Sequence, residues 1–277
     1  MNSGDTREKW ALVTGASKGL GFCYAQQLLN LNYNIITVAR SSGYAANFKV
    51  PEGLKTITYN MDLSVYENNI KLFERIKNVD INVFVNNAGF GLYGKFVDID
   101  LNKEINLIDL NVKSVHILTK LMVQKMSKQP NQSNRIINLT SVVAHSPTPL
   151  LATYAASKGY VLSLSQAVNF ELKKNKIKTR VISISPGPLQ TSFNNRAKGI
   201  SEGTIDDPIP LSTMKFAEKS IKKAIRTKHK DEIVCRTKDK WIIHIGKLQT
   251  KKQALKITYK FIFKAYSKDN QKIKKSK

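Results

Sequence analysis

Tyr154 and Lys158 stand four residues apart at the start of a long apolar pattern with helical spacing. Side chains four residues apart on a helix share one face, so the pattern predicts a phenol and an ammonium one turn from each other. A free phenol has a pKa of about 10 and exchanges its proton reluctantly near neutral pH. A fixed ammonium nearby favours the phenolate and would bring the hydroxyl into the range used in acid–base catalysis.

Ser141 lies thirteen residues before Tyr154, at the end of the apolar run 135–140, which is typical of a β-strand. A serine at the carboxyl end of a strand is well placed to hydrogen-bond a substrate oxygen beside the tyrosine. The tyrosine–lysine spacing alone is common on helix surfaces that have no function, so its meaning depends on the rest of the chain.

A glycine-rich turn joins the first predicted strand, 9–14, to the first predicted helix. Glycines in that place let backbone N–H groups approach a pyrophosphate, and the helix N-terminus adds a favourable partial charge. The spacing is G-x-x-x-G-x-G rather than G-x-G-x-x-G, but the position directly after a strand favours a dinucleotide site. The residues assigned to this site are Thr14, Gly15, Ser17, Lys18, Gly19, Leu20 and Gly21.

Arg40 ends the second predicted strand, 34–39, near the position where NAD-preferring sites carry an acidic residue for the ribose hydroxyls. Together with Lys18 it would place two cations near a 2′-phosphate, which favours NADP(H) over NAD(H). The alternative is that Arg40 is only a solvated residue at a strand end.

Strands alternate with helical patterns along most of the chain, and further strands are predicted at 54–59, 81–85, 135–140, 178–185 and 232–236. The pattern predicts an α/β fold that is Rossmann-like and doubly wound, with a mostly parallel seven-stranded sheet, helices on both faces and a C-terminal helical extension. Sites in such sheets gather at the carboxyl ends of the strands. The glycine turn, Asp62, Asn86, Ser141 and Pro186 are therefore expected at one edge.

Asn111 lies inside an amphipathic pattern that runs from 98 to 126. Asparagine is a poor residue for the interior of a helix. A local distortion of the helix or a polar task is therefore expected at this position.

The composition is that of a globular protein. Hydrophobic residues make up 42% of the 277 residues, and no stretch reaches the roughly 18 apolar residues of a membrane-spanning helix. The first residues are polar and do not resemble a signal peptide. Cys23 and Cys235 lie far apart without metal-ligand spacing, so buried reduced thiols in a cytoplasmic protein, and no metal site, are expected.

The formal net charge is +25, and residues 215–277 hold 21 Lys and Arg against 5 Asp and Glu. Within them 247–268 is predicted to be an amphipathic helix, with lysine at every fourth position from 252 to 268 and aromatic and aliphatic residues between. This helix could bind an anionic membrane surface, pack on its own domain or on a partner subunit, or bind nucleic acid, and the sequence leaves these alternatives open. Residues 269–277 are predicted to be a disordered basic tail.

Residues 1–246 are predicted to form one Rossmann-like domain. Its segment 189–210 is polar, contains two glycines and is predicted to be a mobile substrate lid. Candidates for lining an apolar pocket, each of which could equally be an ordinary packing residue, are Phe90, Phe96, 147–151 and Phe193.

Six motifs in order and in register resemble those of the short-chain dehydrogenase/reductase family over residues 8–235. They are Thr14-Gly-x-x-x-Gly-x-Gly, Asn86-Asn87-Ala88-Gly89, Asn111, Ser141, Tyr154-x-x-x-Lys158 and Pro186-Gly187. The resemblance implies that Tyr154 is the general acid in carbonyl reduction and the base in alcohol oxidation. It also implies that Lys158 lowers the tyrosine pKa and holds the nicotinamide ribose, and that Ser141 orients the carbonyl.

The resemblance implies further roles around these three residues. Asn111 would hold a water that connects Lys158 to solvent, and Asp62 with Leu63 would contact the adenine. After the fourth strand, Asn87 would stabilise the central strand beside the cofactor, and Ala88 and Gly89 would contact the cofactor. After the sixth strand, Pro186, Gly187 and Thr191 would close over the nicotinamide.

The leading hypothesis is an NADP(H)-dependent carbonyl reductase or alcohol dehydrogenase with an apolar lipid-, acyl- or steroid-like substrate. The protein would be cytoplasmic and peripheral on the inner face of a membrane, with a homodimer allowed. The first alternative is a non-catalytic cofactor-binding regulator or scaffold at a membrane, and the intact set of Asn111, Ser141, Tyr154 and Lys158 argues against it. A nucleic-acid binder driven by the basic tail has no recognised motif to support it.

Overall fold

A computed structural model describes residues 8–41, 43–189, 209–248, 250, 252–260 and 262–263. Its strands are β1 (Trp10–Thr14), β2 (Asn34–Ala39), β3 (Thr56–Asn60), β4 (Ile81–Asn86), β5 (Arg135–Leu139), β6 (Arg180–Ile184) and β7 (Glu232–Ile233). They form one sheet in the order β3-β2-β1-β4-β5-β6-β7, and every neighbouring pair is parallel. The predicted fold class is confirmed, although the seventh strand is two residues long where five were expected.

Helices cover both faces of this sheet. They are α1 (Gly19–Leu29), α2 (Tyr66–Ile76), α3 (Leu101–Ile108), α4 (Val115–Ser127), α5 (Ala152–Lys174), α6 (Leu211–Arg226) and α7 (Thr237–Leu248). One apolar cluster joins α1 and α6 to the sheet, and a second joins α2, α4 and the end of α5 to its other face. Because both faces are covered, β2 and β5 are buried at every position and are rich in apolar residues.

The strand order reverses between β1 and β4. Loops that follow neighbouring strands on either side of such a reversal turn toward opposite faces and leave a crevice at the carboxyl edge. The glycine turn follows β1 and the Asn87 loop follows β4, so both lie at this crevice.

The helix that carries Asn111 widens in its middle. Residues Asp109–Ser114 form a π-helical segment between α3 and α4, which confirms the expected distortion. The Asn111 amide is engaged with the backbone of Phe90, where its Nδ2 donates to the carbonyl at 2.8 Å and its Oδ1 accepts from the N–H at 3.1 Å. Such widened turns occur often at functional sites.

The C-terminal part differs from the prediction. Residues 247–268 were predicted to form one helix. The structure instead has the end of α7 there, a helix that begins ten residues earlier at Thr237, followed by a separate helical segment. This second segment, residues 252–260 and 262–263, is called the C-terminal segment. Thr250 and Gln253 form a capping box at its start, with Gln253 N–H donating to Thr250 Oγ1 at 3.3 Å and Thr250 N–H donating to Gln253 Oε1 at 3.0 Å. The T-x-x-Q spacing of the sequence is the local signal for this helix start.

Several expectations fall outside the described residues. They concern most of the predicted lid, 190–208, with Thr191 and Phe193, and residues 264–277 with the predicted tail. Within the ranges that the structure describes, no helix is both long and apolar enough to cross a bilayer.

Candidate active site

Strand β5 and helix α5 bring Ser141, Tyr154 and Lys158 together. Ser141 follows β5 and caps the short turn Val142–His145, while Tyr154 and Lys158 lie on the first two turns of α5. All three residues are buried, with 8%, 9% and 5% of their respective surfaces exposed. A hydrogen bond between the Ser141 and Tyr154 side chains joins the two elements, so the predicted meeting of a hydroxyl and a phenol is present.

Burial determines the protonation of the pair. It raises the pKa of Tyr154 to about 12, and the hydrogen bond with Ser141 offsets only part of this rise. It lowers the pKa of Lys158 to about 8, because a buried ammonium loses its hydration. Both groups are therefore pushed toward their neutral forms.

The Lys158 ammonium is directed toward the sheet. Its Nζ donates to the backbone carbonyl of Leu139 at 2.9 Å and lies 5.8 Å from the centroid of the Tyr154 ring. In this arrangement desolvation by burial is the main cause of the Tyr154 pKa, which is raised and not lowered. A lowered phenol pKa in the working complex stays a prediction from the resemblance.

Asn111 and Gly89 complete the catalytic end of the crevice. The Asn111 Nδ2 also donates to Ser157 Oγ at 3.3 Å, which connects the π-helical segment to α5. A Cβ atom at Gly89 would lie 2.8 Å from Asn111 Oδ1 and 3.5 Å from Lys158 Nζ. The loop after β4 therefore passes directly over both side chains.

The glycine turn is held by the loop after β4. Asn87 Nδ2 donates to the carbonyls of Thr14 and Gly15 at 3.0 and 3.2 Å. Gly15 has a positive φ of 66°, and a Cβ there would meet the Ala88 backbone at 2.8 Å. A Cβ at Gly21 would lie 2.2 Å from the Gly15 carbonyl oxygen, so both positions require glycine.

The N-terminus of α1 has no side-chain cap. Its N-cap is Lys18, which makes no side-chain capping bond, and its first turn has no acidic residue. The first N–H groups of a helix need acceptors, and here an anion could supply them at the positive end of the helix dipole. The predicted loop residues Ser17, Gly19 and Leu20 lie at this end and are half-buried.

Arg40 lies beside the glycine turn. It directly follows β2, which pairs with β1, and the Gly15 N–H donates to the Val38 carbonyl at 2.8 Å. Arg40 is exposed, and Lys18 is half-buried at the same edge of the sheet. The structure thus places the two predicted cations on one side of the crevice.

Asp62 and Leu63 follow β3, one strand further out. Asp62 Oδ1 accepts from the Ser64 N–H at 2.9 Å and from Ser64 Oγ at 2.7 Å, which fixes a turn. The Met61 N–H donates to the Ala39 carbonyl at 2.9 Å, so this turn is tied to the end of β2. Leu63 is buried and packs in the core beneath.

Pro186 and Gly187 lie on the other side of the site. The Pro186 carbonyl accepts from the Val142 N–H at 3.1 Å and from Ser141 Oγ at 3.4 Å. The Gly187 N–H donates to Asp239 Oδ2 at 3.2 Å. The Pro-Gly turn therefore lies against Ser141, as expected from the chain order.

Sequence reasoning missed three residues around the site. Tyr93 lies in the loop after β4, and its hydroxyl donates to the Ile262 carbonyl at 2.6 Å, which places the C-terminal segment beside this loop. Arg236 and Asp239 contact the Pro-Gly turn from the start of α7. The Arg-x-x-Asp spacing at the start of α7 is the sequence signal for Arg236 and Asp239.

Comparisons with known proteins agree with this geometry. A family profile described as short chain dehydrogenase matches residues 9–199, which is more than half of the chain. The very-long-chain 3-oxoacyl-CoA reductase of Mus musculus is 32% identical over 227 residues, which cover 79% of this chain and 70% of that protein. Dehydrogenase/reductase SDR family member 11 of Homo sapiens is 30% identical over 196 residues, 68% of this chain and 75% of that protein.

The very-long-chain 3-oxoacyl-CoA reductases of Mycosarcoma maydis and Neurospora crassa are each 30% identical to this chain, with 64% and 62% of it covered. The match spans 53% and 54% of these fungal proteins, about half of their length.

Solved structures share the fold. A short-chain dehydrogenase from Sphingobium yanoikuyae in complex with NADPH superimposes with a TM-score of 0.72 and 24% identity, over 87% of this chain and 93% of that one. A 7beta-hydroxysteroid dehydrogenase superimposes with a TM-score of 0.76 and 19% identity, over 93% of this chain and 99% of that one. At such identities the likeness concerns the fold alone. The family profile, the relatives of 30% identity or more and the assembled motif residues together show that this chain belongs to the short-chain dehydrogenase family.

Proposed function

We propose that this chain is an NADP(H)-dependent oxidoreductase that interconverts a ketone or aldehyde and the corresponding alcohol. The observation that carries the proposal is the buried Ser141–Tyr154 hydrogen bond with the Lys158 ammonium one helical turn away. A proton donor, a carbonyl-orienting hydroxyl and a cation at the carboxyl edge of a doubly wound sheet suit carbonyl reduction.

The residues present fit a nicotinamide dinucleotide. The uncapped N-terminus of α1 and the close approach of Gly15 to Asn87 leave a place where backbone N–H groups can meet a pyrophosphate. Ser17, Lys18 and Arg40 would hold the adenosine phosphate, and Asp62 and Leu63 the adenine. The nicotinamide end would be held by Lys158 and by the Pro186–Gly187 turn.

The chain's own groups then handle the proton and the carbonyl oxygen. When bound, the reduced cofactor supplies the hydride that reaches the carbonyl carbon. Ser141 donates a hydrogen bond to the carbonyl oxygen, and Tyr154 gives its hydroxyl proton to that oxygen as negative charge develops there. The Lys158 ammonium stabilises the resulting phenolate, and Asn111 would hold the water through which the proton is restored.

Tyr154 carries its proton before a carbonyl substrate reacts. With its pKa raised to about 12 the phenol keeps its proton throughout the neutral range, so it is ready to act as an acid in reduction. By microscopic reversibility the same group serves as the base when the alcohol is oxidised.

Replacing Tyr154 with Phe removes the acid while keeping the ring. We expect the rate of ketone reduction to fall by about 100-fold or more, since general acid catalysis contributes about 10²–10⁴-fold. The affinity for NADPH should stay within about 2-fold of the wild type, because the substitution removes no contact with the cofactor phosphates. The measurement is NADPH oxidation followed by absorbance, with calorimetry for binding. Tyr160→Phe, an exposed phenol on the same helix, should leave both unchanged. Retained turnover in Tyr154→Phe contradicts the proposed chemistry.

Burying the Lys158 ammonium costs stability, because folding lowers its pKa from 10.5 to about 8. Below pH 8 the folded state carries the full penalty, and the penalty fades as the pH rises from 8 toward 10.5, where the unfolded chain also loses its proton. Lys158→Met should therefore abolish turnover and yet raise the free energy of unfolding at pH 7 by up to about 3 kcal/mol. The lost bond to the Leu139 carbonyl reduces this gain.

Urea unfolding at pH 7 and at pH 10.5 measures the effect, with a gain expected only at the lower pH. Lys120→Met, at an exposed position of α4, serves as the control and should show no gain. A Lys158→Met variant that is less stable than the wild type at both pH values would contradict the stated cost.

Arg40 is proposed to select NADP(H) by binding the 2′-phosphate of the cofactor. Arg40→Asp should weaken NADPH binding by about 10–100-fold, the value of a charge-assisted hydrogen bond, and should leave NADH binding equal or stronger. Dissociation constants for both cofactors measure the shift. Arg226→Asp makes the same charge change at an exposed position of α6 and should alter neither. An unchanged NADPH constant in Arg40→Asp assigns the phosphate to other groups.

The substrate is proposed to carry a long apolar chain. Relatives at 30–32% identity are named very-long-chain 3-oxoacyl-CoA reductases, and an acyl chain with a 3-oxo group suits the carbonyl chemistry of Tyr154. The C-terminal segment, which reaches Tyr93 after β4, lies where it could cover such a chain.

The C-terminal segment and α7 present an apolar surface that is also basic. Ala254 is buried, whereas the residues that project from these helices are partly or largely exposed, with Trp241 at 60% and Ile257 and Tyr259 each at 45%. Between the apolar residues of the C-terminal segment stand three exposed lysines, Lys252, Lys256 and Lys260. We propose that this surface docks on an anionic membrane, where aromatic and aliphatic side chains insert and lysines meet the headgroups.

Neutralising the three lysines tests the docking. Lys252→Gln, Lys256→Gln and Lys260→Gln together should weaken binding to vesicles containing phosphatidylserine by about 100-fold, at about 1 kcal/mol for each lysine. The measurement is vesicle co-sedimentation of the full chain. A control that neutralises the exposed Lys71, Lys120 and Lys174 has the same net charge and should bind as the wild type. Equal losses in both variants, binding to RNA instead, or a change in subunit association without a change in vesicle binding would each contradict the membrane assignment.

A further inference from the structure

The turn Pro186–Pro188 has its polar backbone groups held from two sides. On one side the Pro186 carbonyl accepts from the Val142 N–H and from Ser141 Oγ, at 3.1 and 3.4 Å. On the other side the Gly187 N–H donates to Asp239 Oδ2 at 3.2 Å. Proline has no backbone N–H, so the one N–H donor of these three residues is given to Asp239.

Asp239 is itself fixed. It is fully buried in the first turn of α7, and Arg236 holds it with two bonds, Nε to Oδ2 at 2.6 Å and Nη2 to Oδ1 at 2.9 Å. Paired donors on a carboxylate give a strong and directional contact. The third donor of the guanidinium, Nη1, reaches the Pro188 carbonyl at 2.8 Å. The pair therefore holds both the N–H of Gly187 and the carbonyl of the residue after it.

The packing is tight as well as hydrogen-bonded. A Cβ atom at Gly187 would lie 2.3 Å from Asp239 Oδ1 and 2.5 Å from Arg236 Nη2. Only glycine leaves room for the ion pair at this distance. In addition, α7 packs on the turn Val142–His145 that Ser141 caps, so the same helix supports the catalytic serine and the Pro-Gly-Pro turn.

We propose that Arg236 and Asp239 are positioning residues for the nicotinamide half of the cofactor. The inference rests on the proposed function, since that function puts the nicotinamide at the Pro186–Gly187 turn. The pair acts through the Pro186–Pro188 turn, which follows β6. The proposed adenosine site is built by the loops after β1, β2 and β3, on the other side of β4 and β5 in the strand order. The effect of the pair is therefore confined to the nicotinamide and to the angle at which the ring faces Ser141 and Tyr154.

Two ligands separate the halves of the cofactor. NADPH contains the nicotinamide, and 2′-phospho-ADP-ribose is the same molecule without it. Asp239→Asn removes the charge from the contact with Arg236 and leaves one carbonyl oxygen for the three donors that the carboxylate accepts. Calorimetric titration should show NADPH binding weakened by about 10-fold or more, the size of a lost charge-assisted hydrogen bond, with 2′-phospho-ADP-ribose bound within about 2-fold of the wild type.

Further variants keep the test independent of folding. Arg236→Lys retains a cation without the paired donors and should give the same pattern to a smaller extent, and Arg236→Gln covers the case in which Asp239→Asn does not fold. Glu218→Gln, which breaks the partly exposed Lys222–Glu218 pair of α6, should change neither dissociation constant. Thermal unfolding is recorded for every variant.

Equal weakening of both ligands would mark a structural role and overturn the inference, as would variants that bind NADPH like the wild type. If the wild type binds the two ligands with equal affinity, the turn adds no binding free energy for the nicotinamide, and the inference is overturned. The proposed cofactor assignment would survive that result. A wild type that binds neither ligand overturns the proposed function and this inference together.

Discussion

The amide of Asn87 joins the two central loops of the sheet, and the site is built outward from this contact. It donates to the carbonyls of Thr14 and Gly15, while the Thr14 hydroxyl accepts the backbone N–H groups of Asn87 and Ala88 at 3.0 Å each. Because the strand order reverses here, the loops after β1 and β4 would otherwise diverge. The contact closes the floor of the crevice and leaves no space for side chains at Gly15 or Gly21.

On the catalytic side of that floor the fold hides two ionisable groups from water. Tyr154 and Lys158 are both held toward their neutral forms, which suits an acid that must keep its proton until negative charge develops on the substrate. The ammonium donates a hydrogen bond to the Leu139 carbonyl at 2.9 Å, but its loss of hydration lowers its pKa, so its burial works against folding stability. Active sites commonly carry such destabilising groups because their chemistry needs them. The π-helical segment at Asn111 is a second local departure from regular structure at the same place.

The C-terminal helices are part of the site. Helix α7 holds the Pro186–Pro188 turn through Arg236 and Asp239, and the C-terminal segment accepts a hydrogen bond from Tyr93 in the loop after β4. Two loops that flank the catalytic residues are thus supported by elements that follow the last strand. The same helices expose aromatic and aliphatic residues on their outer side.

The sequence by itself determined the sheet and indicated which residues meet at the candidate site. The bounds of β2 agree with the predicted strand 34–39, and the distortion at Asn111 is present, because apolar periodicity, turn glycines and helix propensity act over a few neighbouring residues. Only the tertiary structure decided the direction of the Tyr154 and Lys158 pKa shifts, since desolvation depends on what covers a group. It alone also revealed the contact of Asp239 with Gly187, which joins residues fifty-two positions apart, and the arrangement of the helices after β7. Long-range packing sets these features, and no local pattern in the chain encodes them.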